Sequence, residues 1–197
     1  MNRGQFLRLG VAGAAAAAGV LAAPATAALP TPRPQGDDVG YLSFGAVAEL
    51  TSRAWYTQAL GAKGFTAGER RRLQQAHAAK NDHIKRINVA LRGDAIQAGD
   101  FAATFPDGAF ATKARAVGLG ERIESLLVGT YLNGAAFAHD AATRLLLGRL
   151  LAYDAQMLAW MRGLAGAPAA SGLANPLSLE QAGATLDRLI TTPNFPV

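Results

Sequence analysis

The hydrophobic positions of this chain recur at spacings of three and four residues along four long segments, a period that predicts amphipathic α-helices. The predicted helices span about residues 39–60, 67–91, 110–138 and 141–164. Thr66 and Glu69 form a capping-box pattern before the second helix, and Asp140 can cap the fourth. Ser178 is expected to cap a fifth, short helix. The pattern therefore predicts an all-α fold built around four helices.

The connection between the second and third predicted helices is unusually long. Residues 92–109 contain three glycines and one proline and show no sustained period. Helices that are neighbours in a bundle are usually joined by about two to eight residues. About eighteen extended residues can span roughly 55 Å, enough to run the length of a helix of about 22 residues. The sequence therefore predicts a crossover along the bundle.

The first 27 residues have the pattern of an export signal peptide. Arg3 and Arg8 precede an uncharged apolar stretch at residues 9–23, and Ala25-Thr26-Ala27 forms a small-x-small cleavage site. The segment RGQFLRLG resembles a twin-arginine signal, but Gly4 stands at the second arginine position. Both the twin-arginine and the general secretory routes therefore stay open.

The apolar stretch of this segment is shorter than the roughly twenty residues that a membrane-spanning helix needs. An uncleaved anchor is the alternative to a cleaved signal, and we expect no stable membrane span after signal removal. Residues 28–38, which contain three prolines, are expected to form a linker. The pattern predicts an exported protein of the periplasm, the cell envelope or the extracellular space.

Composition and charge exclude several classes of function. The chain has no cysteine, which excludes disulfides, thiolate nucleophiles and cysteine-bound zinc. Without Arg3 and Arg8, 17 of the 19 basic residues remain against 14 acidic ones. This weak excess does not cluster as a nucleic-acid-binding face does, so no nucleic-acid partner is expected.

Each of the four long helices places an ionisable side chain on its apolar face near its middle. These side chains are Glu49, Lys80, His83, Glu124 and Asp154. Buried polar groups are more informative than buried leucines, because they are rare. Lys80 and His83 are three residues apart and share one face of the second helix. Polar groups at a similar depth in four helices predict one central polar site.

Several motifs around these positions resemble the ferritin-like domain family, which includes secreted bacterial members and plant desiccation-related proteins. The first helix resembles the family pattern L-x6-E-x6-Y, which aligns Glu49 and Tyr56, and the third resembles E-x6-Y-L-G-A-A, which aligns Glu124 and Tyr131. In the second helix, KNDH stands where the family has E-x-x-H. In the fourth, DAQMLAWMRGL is similar to E-A-R-H-A-A-W-L-R, and NPLSLEQAGATLDRLI resembles the family's C-terminal segment.

The resemblance covers about residues 39–190 and implies an up-down-down-up bundle with a long crossover and a short C-terminal helix. We expect this bundle, with its C-terminal extension, to occupy residues 39–197. The family pattern implies two metal ions held by four carboxylates and two histidines. By the same resemblance, the candidate metal ligands here are Glu49, His83, Glu124 and Asp154.

Two departures from the family pattern change the expected chemistry. Lys80 stands at the position of a bridging glutamate, and Met157 stands at the position of a histidine. An ammonium at a bridging position would touch two metal cations, whereas three unpaired carboxylates inside a bundle would be very costly. Charge counting therefore permits one divalent ion, iron or manganese, or none, and disfavours two.

Each candidate ligand also has a structural interpretation. Glu49 and Glu124 can be satisfied members of a polar network, and His83 can be a core histidine. We expect Tyr56 and Tyr131 to donate hydrogen bonds to the inward carboxylates.

The sequence therefore predicts an exported ferritin-like domain that is non-catalytic or binds at most one metal ion. The resemblance implies a stress-protective or scaffolding role, and no catalytic residue is assigned. One alternative is an active iron or manganese protein that handles O2 or peroxide. Another is a cell-envelope protein that binds a partner through the linker and residues 70–72. A homo-oligomer is compatible with each of these interpretations.

Overall fold

The computed structural model describes residues 30–97, 99, 101–168 and 174–190. These residues form five α-helices and one 3-10 turn at Arg92–Asp94, and they contain no strand. The helices are α1 (Asp37–Gly61), α2 (Ala67–Leu91), α3 (Lys113–Phe137), α4 (Ala141–Leu164) and α5 (Leu179–Leu189). The all-α prediction is confirmed. The predicted signal peptide, residues 1–27, lies outside the described residues.

The helices begin where side chains can accept hydrogen bonds from free backbone N–H groups. The Thr66 hydroxyl accepts from Glu69 N–H while the Glu69 carboxylate accepts from Thr66 N–H, a complete capping box. Asp140 caps α4, and Ser178 caps α5 with a second capping box. These three predicted caps are confirmed. Helix α3 begins at Lys113 rather than at the predicted residue 110, because the Thr112 side chain caps it.

Contacts between helices establish the direction of each. The Trp55 indole N–H donates to the Ala116 carbonyl, whereas Gly45 lies against Tyr131, so α1 and α3 run antiparallel. Helices α1 and α2, and likewise α3 and α4, are joined by short loops at residues 62–66 and 138–140, as antiparallel neighbours are. Helices α2 and α3 are therefore parallel. The up-down-down-up order and the long crossover are confirmed.

Glycines let the other elements approach α3 closely. A Cβ atom at Gly120 would lie 2.4 Å from the Trp55 ring, and one at Gly129 would lie 2.8 Å from Leu177. The Leu177 N–H also donates to the Gly129 carbonyl, which fixes the segment before α5 against α3. Helix α5 packs on α1 and α3. The apolar core that results surrounds a polar layer at mid-height of the bundle.

None of the described helices combines the length and the apolar character needed to cross a bilayer.

Candidate functional site

Lys80, on α2, lies at the centre of the bundle with its side chain completely buried. Its Nζ is 2.6 Å from Asp154 Oδ1, 3.2 Å from Glu49 Oε2 and 3.3 Å from Glu124 Oε2. The three carboxylates come from α4, α1 and α3, so all four long helices meet at one ammonium. We call Lys80, Glu49, Glu124 and Asp154 the lysine cluster. The prediction that these side chains share one interior site is confirmed.

The Glu49 carboxylate has donors from two other helices. Its Oε1 accepts a hydrogen bond of 2.9 Å from the Tyr131 hydroxyl and lies 3.0 Å from His83 Nδ1. Burial by itself raises the pKa of Glu49, but Lys80, followed by the His83 hydrogen bond, outweighs burial and lowers it. Glu49 is therefore an ionised member of the cluster.

The Glu124 carboxylate is held by two hydroxyls of α1. Its Oε1 accepts hydrogen bonds of 2.9 Å from Tyr56 and 2.9 Å from Ser52. The tyrosine contacts at Glu49 and Glu124 confirm the sequence prediction. The sequence prediction gave Ser52 no role, although Ser52 lies three residues after Glu49 and therefore on the same face of the helix.

Asp154 is the least satisfied acid of the lysine cluster. Its Oδ1 faces Lys80, but its buried Oδ2 has no hydrogen-bond partner among the described residues. Glu49 Oε2 also lacks a hydrogen bond there, although Lys80 Nζ lies 3.2 Å away. Burial, and next the Glu49 carboxylate, raise the pKa of Asp154 well above its usual range. Asp154 therefore holds a proton more readily than Glu49 does.

The ammonium of Lys80 remains charged in this surrounding. Burial acts to lower the pKa of Lys80, but Asp154, then Glu124 and Glu49, outweigh burial and raise it above the ordinary value of a lysine. The Tyr56 and Tyr131 hydroxyls keep their protons for a related reason, because burial and the adjacent carboxylates raise the pKa of both. Both hydroxyls therefore act as hydrogen-bond donors.

His83 forms the edge of the site that is nearest to solvent. Its side chain is 10% exposed, and its Nδ1 lies 3.9 Å from Asp154 Oδ1. The Tyr153 ring packs edge-on against the imidazole with the ring centres 5.0 Å apart. Met157, which occupies the second histidine position of the family pattern, is buried in the apolar core. That position supplies only a thioether, which is a poor ligand for iron.

The resemblance to ferritin-like domains implies a pair of metal ions, and the geometry of Lys80 tests whether a pair fits. Protein oxygens bind divalent cations at about 2.0–2.6 Å. The ammonium, within 2.6–3.3 Å of three carboxylates, occupies the space that ions bridging those carboxylates would need. Two divalent ions do not fit beside it, since three cationic centres would be in contact.

The site offers a more favourable set of ligand atoms to a single metal ion than to a pair. Glu49, His83 and Asp154 each offer one ligand atom, and these atoms lie within 4.8 Å of one another. Glu124 is not part of this group. Carboxylate oxygen and imidazole nitrogen are suitable ligands for iron and manganese. However, the Asp154 oxygen nearest to His83 is the one that pairs with Lys80.

The basic run at residues 70–72 packs against neighbouring groups. The Arg70 guanidinium donates to the carbonyls of Leu60 and Ala62 at the end of α1. The Arg72 guanidinium lies over the Trp160 ring, 5.6 Å from its centre. These two arginines therefore join helices within the bundle.

Comparison with known families agrees with this architecture. A family model described as a ferritin-like domain matches residues 37–167, a span that contains α1 to α4 and every member of the lysine cluster. No curated protein matches the chain.

Proposed function

The chain belongs to the ferritin-like domain family, and on this premise we propose that it is an exported, non-catalytic member in which a lysine replaces the metal pair. Its role is to protect or scaffold other molecules outside the cytoplasm rather than to turn over a substrate. The observation that carries this proposal is the fully buried Lys80 ammonium, in contact with a carboxylate from each of the other three long helices.

A buried ammonium in this position takes over the structural task of a metal ion. A divalent ion would hold the four helices together by attracting their carboxylates, and Lys80 supplies the same attraction with a single charge. The attraction is strong in the interior, because the effective dielectric there is far below that of water. The bundle therefore needs no metal to bring these acids together.

Protonation of Asp154 offsets part of the charge of the site. Three ionised carboxylates and one ammonium have a formal charge of about −2 when the imidazole is neutral. A proton on Asp154, whose pKa burial and Glu49 raise, removes one of these charges. The remaining charge of about −1 is smaller than the charge of one divalent ion. Such an ion would therefore reverse the charge of the site rather than cancel it.

A second candidate function is a mononuclear metal protein, and the buried, unpartnered Oδ2 of Asp154 favours it. Glu49, His83 and Asp154 would hold the ion, whose charge would offset the excess of negative charge in the site. Bound iron or manganese would supply redox chemistry with O2 or peroxide. In this case Lys80 would position Asp154, while Ser52 and Tyr56 would hold Glu124 apart from the ion.

A metal count separates the two candidates. The mature protein, purified without chelators, should contain well below one iron or manganese ion per chain by plasma mass spectrometry. It should also oxidise added ferrous iron no faster than the buffer does. Two tightly bound ions per chain would overturn the proposal, and one ion per chain would establish the second candidate.

The variant Lys80→Glu tests whether the ammonium is what excludes the metal pair. We expect its content of divalent metal to rise, because the substitution restores the bridging carboxylate and removes the competing cation. Lys85→Glu, an exposed change of equal charge on the same helix, is the matched control and should leave the metal content unchanged. An equal content in both variants would show that Lys80 does not control metal access.

Export is tested by cell fractionation combined with the mass of the mature chain. We expect the protein in the exported fraction with an N-terminus near Ala28. A protein that stays in the cytoplasmic fraction and keeps residues 1–27 would contradict this part of the proposal.

A further inference from the structure

Lys80 and Asp154 place an amine and a carboxyl group in direct contact inside the bundle. Lys80 Nζ lies 2.6 Å from Asp154 Oδ1, the shortest ion-pair contact of the lysine cluster. Both side chains are completely buried, and 74 residues separate them along the chain. An amine and a carboxyl group are the two reactants from which an amide bond forms. Groups held in contact can react as if one were present at about 10⁵–10⁸ M.

Burial changes the balance between the ion pair and the amide. In water, an ammonium and a carboxylate are stable because water solvates both charges. Inside the bundle this solvation is lost, so the charged pair carries a desolvation cost. An amide carries no charge, and the water that its formation releases can leave the interior. The interior therefore favours the amide more than water does.

Two buried carboxylate oxygens beside this pair are consistent with such a reaction. Asp154 Oδ2 and Glu49 Oε2 have no hydrogen-bond partner in the part of the chain that the structure describes. Buried polar atoms of this kind are rare in folded proteins and need an explanation. In an amide, Asp154 keeps only one oxygen, and that oxygen is uncharged. Glu49 Oε2 lies 3.2 Å from Lys80 Nζ, where it can accept a proton from the nitrogen.

We propose that Lys80 and Asp154 condense to an isopeptide bond between α2 and α4, with Glu49 as the proton carrier. Transfer of one proton across the hydrogen bond from Lys80 to Asp154 gives an amine and a carboxylic acid. The lone pair of Nζ then forms a bond to Asp154 Cγ. Glu49 takes a proton from the nitrogen and returns it to the Asp154 hydroxyl, which leaves as water when its C–O bond breaks. One ammonium and one carboxylate thus give one amide and one water, and no oxidant, reductant or co-reactant is needed.

The inference rests on the metal-free lysine cluster of the proposed function, because a metal ion bound to Asp154 would keep its carboxylate from reacting. The ion pair is the resting form of the two groups, since the surrounding carboxylates keep Lys80 charged. The ion pair therefore assembles the bundle first, and the amide forms from it slowly. In a chain without cysteine, the bond would join two helices as a disulfide does, but reductants would not cleave it.

Mass spectrometry of the mature protein, purified without chelators and then denatured, tests this proposal. We expect a mass lower than that of the mature sequence by one water molecule. After digestion with trypsin, we expect one branched peptide that joins residues 73–85 to residues 150–162. The mass of the unmodified sequence after prolonged incubation of the folded protein would overturn the proposal.

Lys113 and Glu69 provide an internal control for the effect of burial. Their ion pair is about as short, with 2.7 Å between Nζ and Oε1, but the two side chains are 29% and 18% exposed. We expect no amide at this pair, so trypsin should cleave after Lys113. An amide at Lys113 as abundant as the one at Lys80 would contradict the argument from burial.

Two variants test the chemistry of the bond. Asp154→Asn should form the same branched peptide with loss of ammonia instead of water, because the amine then displaces an amide nitrogen. Glu49→Gln keeps the size of the side chain but cannot carry the proton, and should form the bond at least a hundredfold more slowly. The branched fraction at successive times after a short pulse of expression measures this rate. Glu180→Gln, the same change at an exposed position, is the control and should leave the rate unchanged.

Circular dichroism verifies that each variant keeps the helical fold. Equal rates in Glu49→Gln and Glu180→Gln would overturn the role of Glu49. The metal content of the same samples separates this inference from the proposed function. A metal-free protein with an unmodified Lys80 would refute the isopeptide bond and leave the proposed function standing, whereas two bound ions beside an unmodified Lys80 would refute both.

Discussion

Around Glu49, helix α1 contacts its neighbours through charge, whereas around Trp55, six residues later, it contacts them through close packing. The Glu49 carboxylate faces the Lys80 ammonium at 3.2 Å and the Tyr131 hydroxyl at 2.9 Å. The Trp55 indole lies where a Cβ atom at Gly120 would be 2.4 Å away. Both Glu49 and Trp55 are completely buried.

These two contacts fail under opposite changes. The charged contact depends on an ammonium and carboxylates that neutralise one another. It is weakened when one of these groups is removed, because its partners then stay buried with an uncompensated charge. The packed contact depends on atoms that are absent, so it is weakened when one methyl group is added. The bundle should therefore be destabilised by removal of a charged side chain from the lysine cluster. It should also be destabilised by addition of a methyl group where α1 packs against α3 at Gly120.

The largest effect is expected for Lys80→Met, which removes the ammonium and keeps most of the side-chain volume. Three carboxylates then stay buried without their cation, a change that typically costs about 3–5 kcal/mol. Chemical denaturation at pH 7 measures the free energy of unfolding. Lys85→Met, at an exposed position of α2, is the control and should change it by less than about 0.5 kcal/mol.

The deficit of Lys80→Met should shrink as the pH falls from 7 to 5. Without the ammonium, burial and mutual repulsion raise the pKa of Glu49 and Asp154 above their unfolded values. As the pH falls, such groups bind protons in the folded state before they do so in the unfolded state. The free energy of unfolding of the variant therefore increases as the pH falls. In the unmodified protein Lys80 keeps the pKa of Glu49 low, and stability from Glu49 is lost only at pH values below its usual pKa. A deficit that does not depend on pH would contradict this explanation.

The next effect is expected for Gly120→Ala at the packed contact. The added Cβ would overlap the Trp55 ring, and relief of the overlap should cost about 1–3 kcal/mol. Gly118→Ala is the matched control on the same helix, since a Cβ there meets nothing within 4 Å. The control should increase stability by up to about 1 kcal/mol, because alanine favours the helix. Equal changes in the thermal midpoints of the two variants would show that α1 and α3 are not closely packed at Gly120.

The charged contact could be predicted from the sequence because a polar residue on an apolar helical face is visible without the fold. Lys80 and Glu49 were found in this way. The helix-capping side chains Thr66 and Ser178 were found from a different signal, the capping pattern that precedes a helix. The capping patterns are local, so the helix ends they determine could be predicted to within a few residues. The family resemblance supplied the order of the helices, which the contacts of Trp55 and Gly45 with α3 then established.

The packed contact could not be predicted, because the effect of a glycine depends on what lies opposite it. Gly118 and Gly120 are two residues apart on α3, yet only Gly120 faces an aromatic ring. The hydrogen bond from Ser52 to Glu124 was not predicted either, because a serine hydroxyl is small enough to occur on the buried or the exposed face of a helix.

A smaller loss is expected for Tyr131→Phe, which removes one donor from Glu49 and leaves the ammonium in place. Hydrogen bonds to charged groups contribute about 1.5–3 kcal/mol, and the remaining contacts with His83 and Lys80 should limit the loss to about 1.5 kcal/mol. Tyr41→Phe is the control, because the Tyr41 hydroxyl accepts a hydrogen bond from the neutral amide of Asn133 rather than donating one to a carboxylate. Its loss should be about 0.5–1 kcal/mol in the same denaturation experiment. A larger loss in the control would show that Glu49 gains little from Tyr131.

The smallest effect is expected for Arg86→Ala, which breaks an ion pair on the outer face of the helix that carries Lys80. Arg86 Nε lies 2.7 Å from Asp82 Oδ2, about as close as Lys80 is to Asp154, but the two side chains are 54% and 56% exposed. Water already solvates both charges, and side-chain entropy opposes the pairing, so such pairs contribute about 0.3–0.5 kcal/mol. The free energy of unfolding should fall by no more than this, and the difference should disappear in 1 M salt, where charges are screened within about 3 Å. A loss near that of Lys80→Met would mean that burial does not distinguish the exposed Arg86–Asp82 pair from the buried pairs of Lys80.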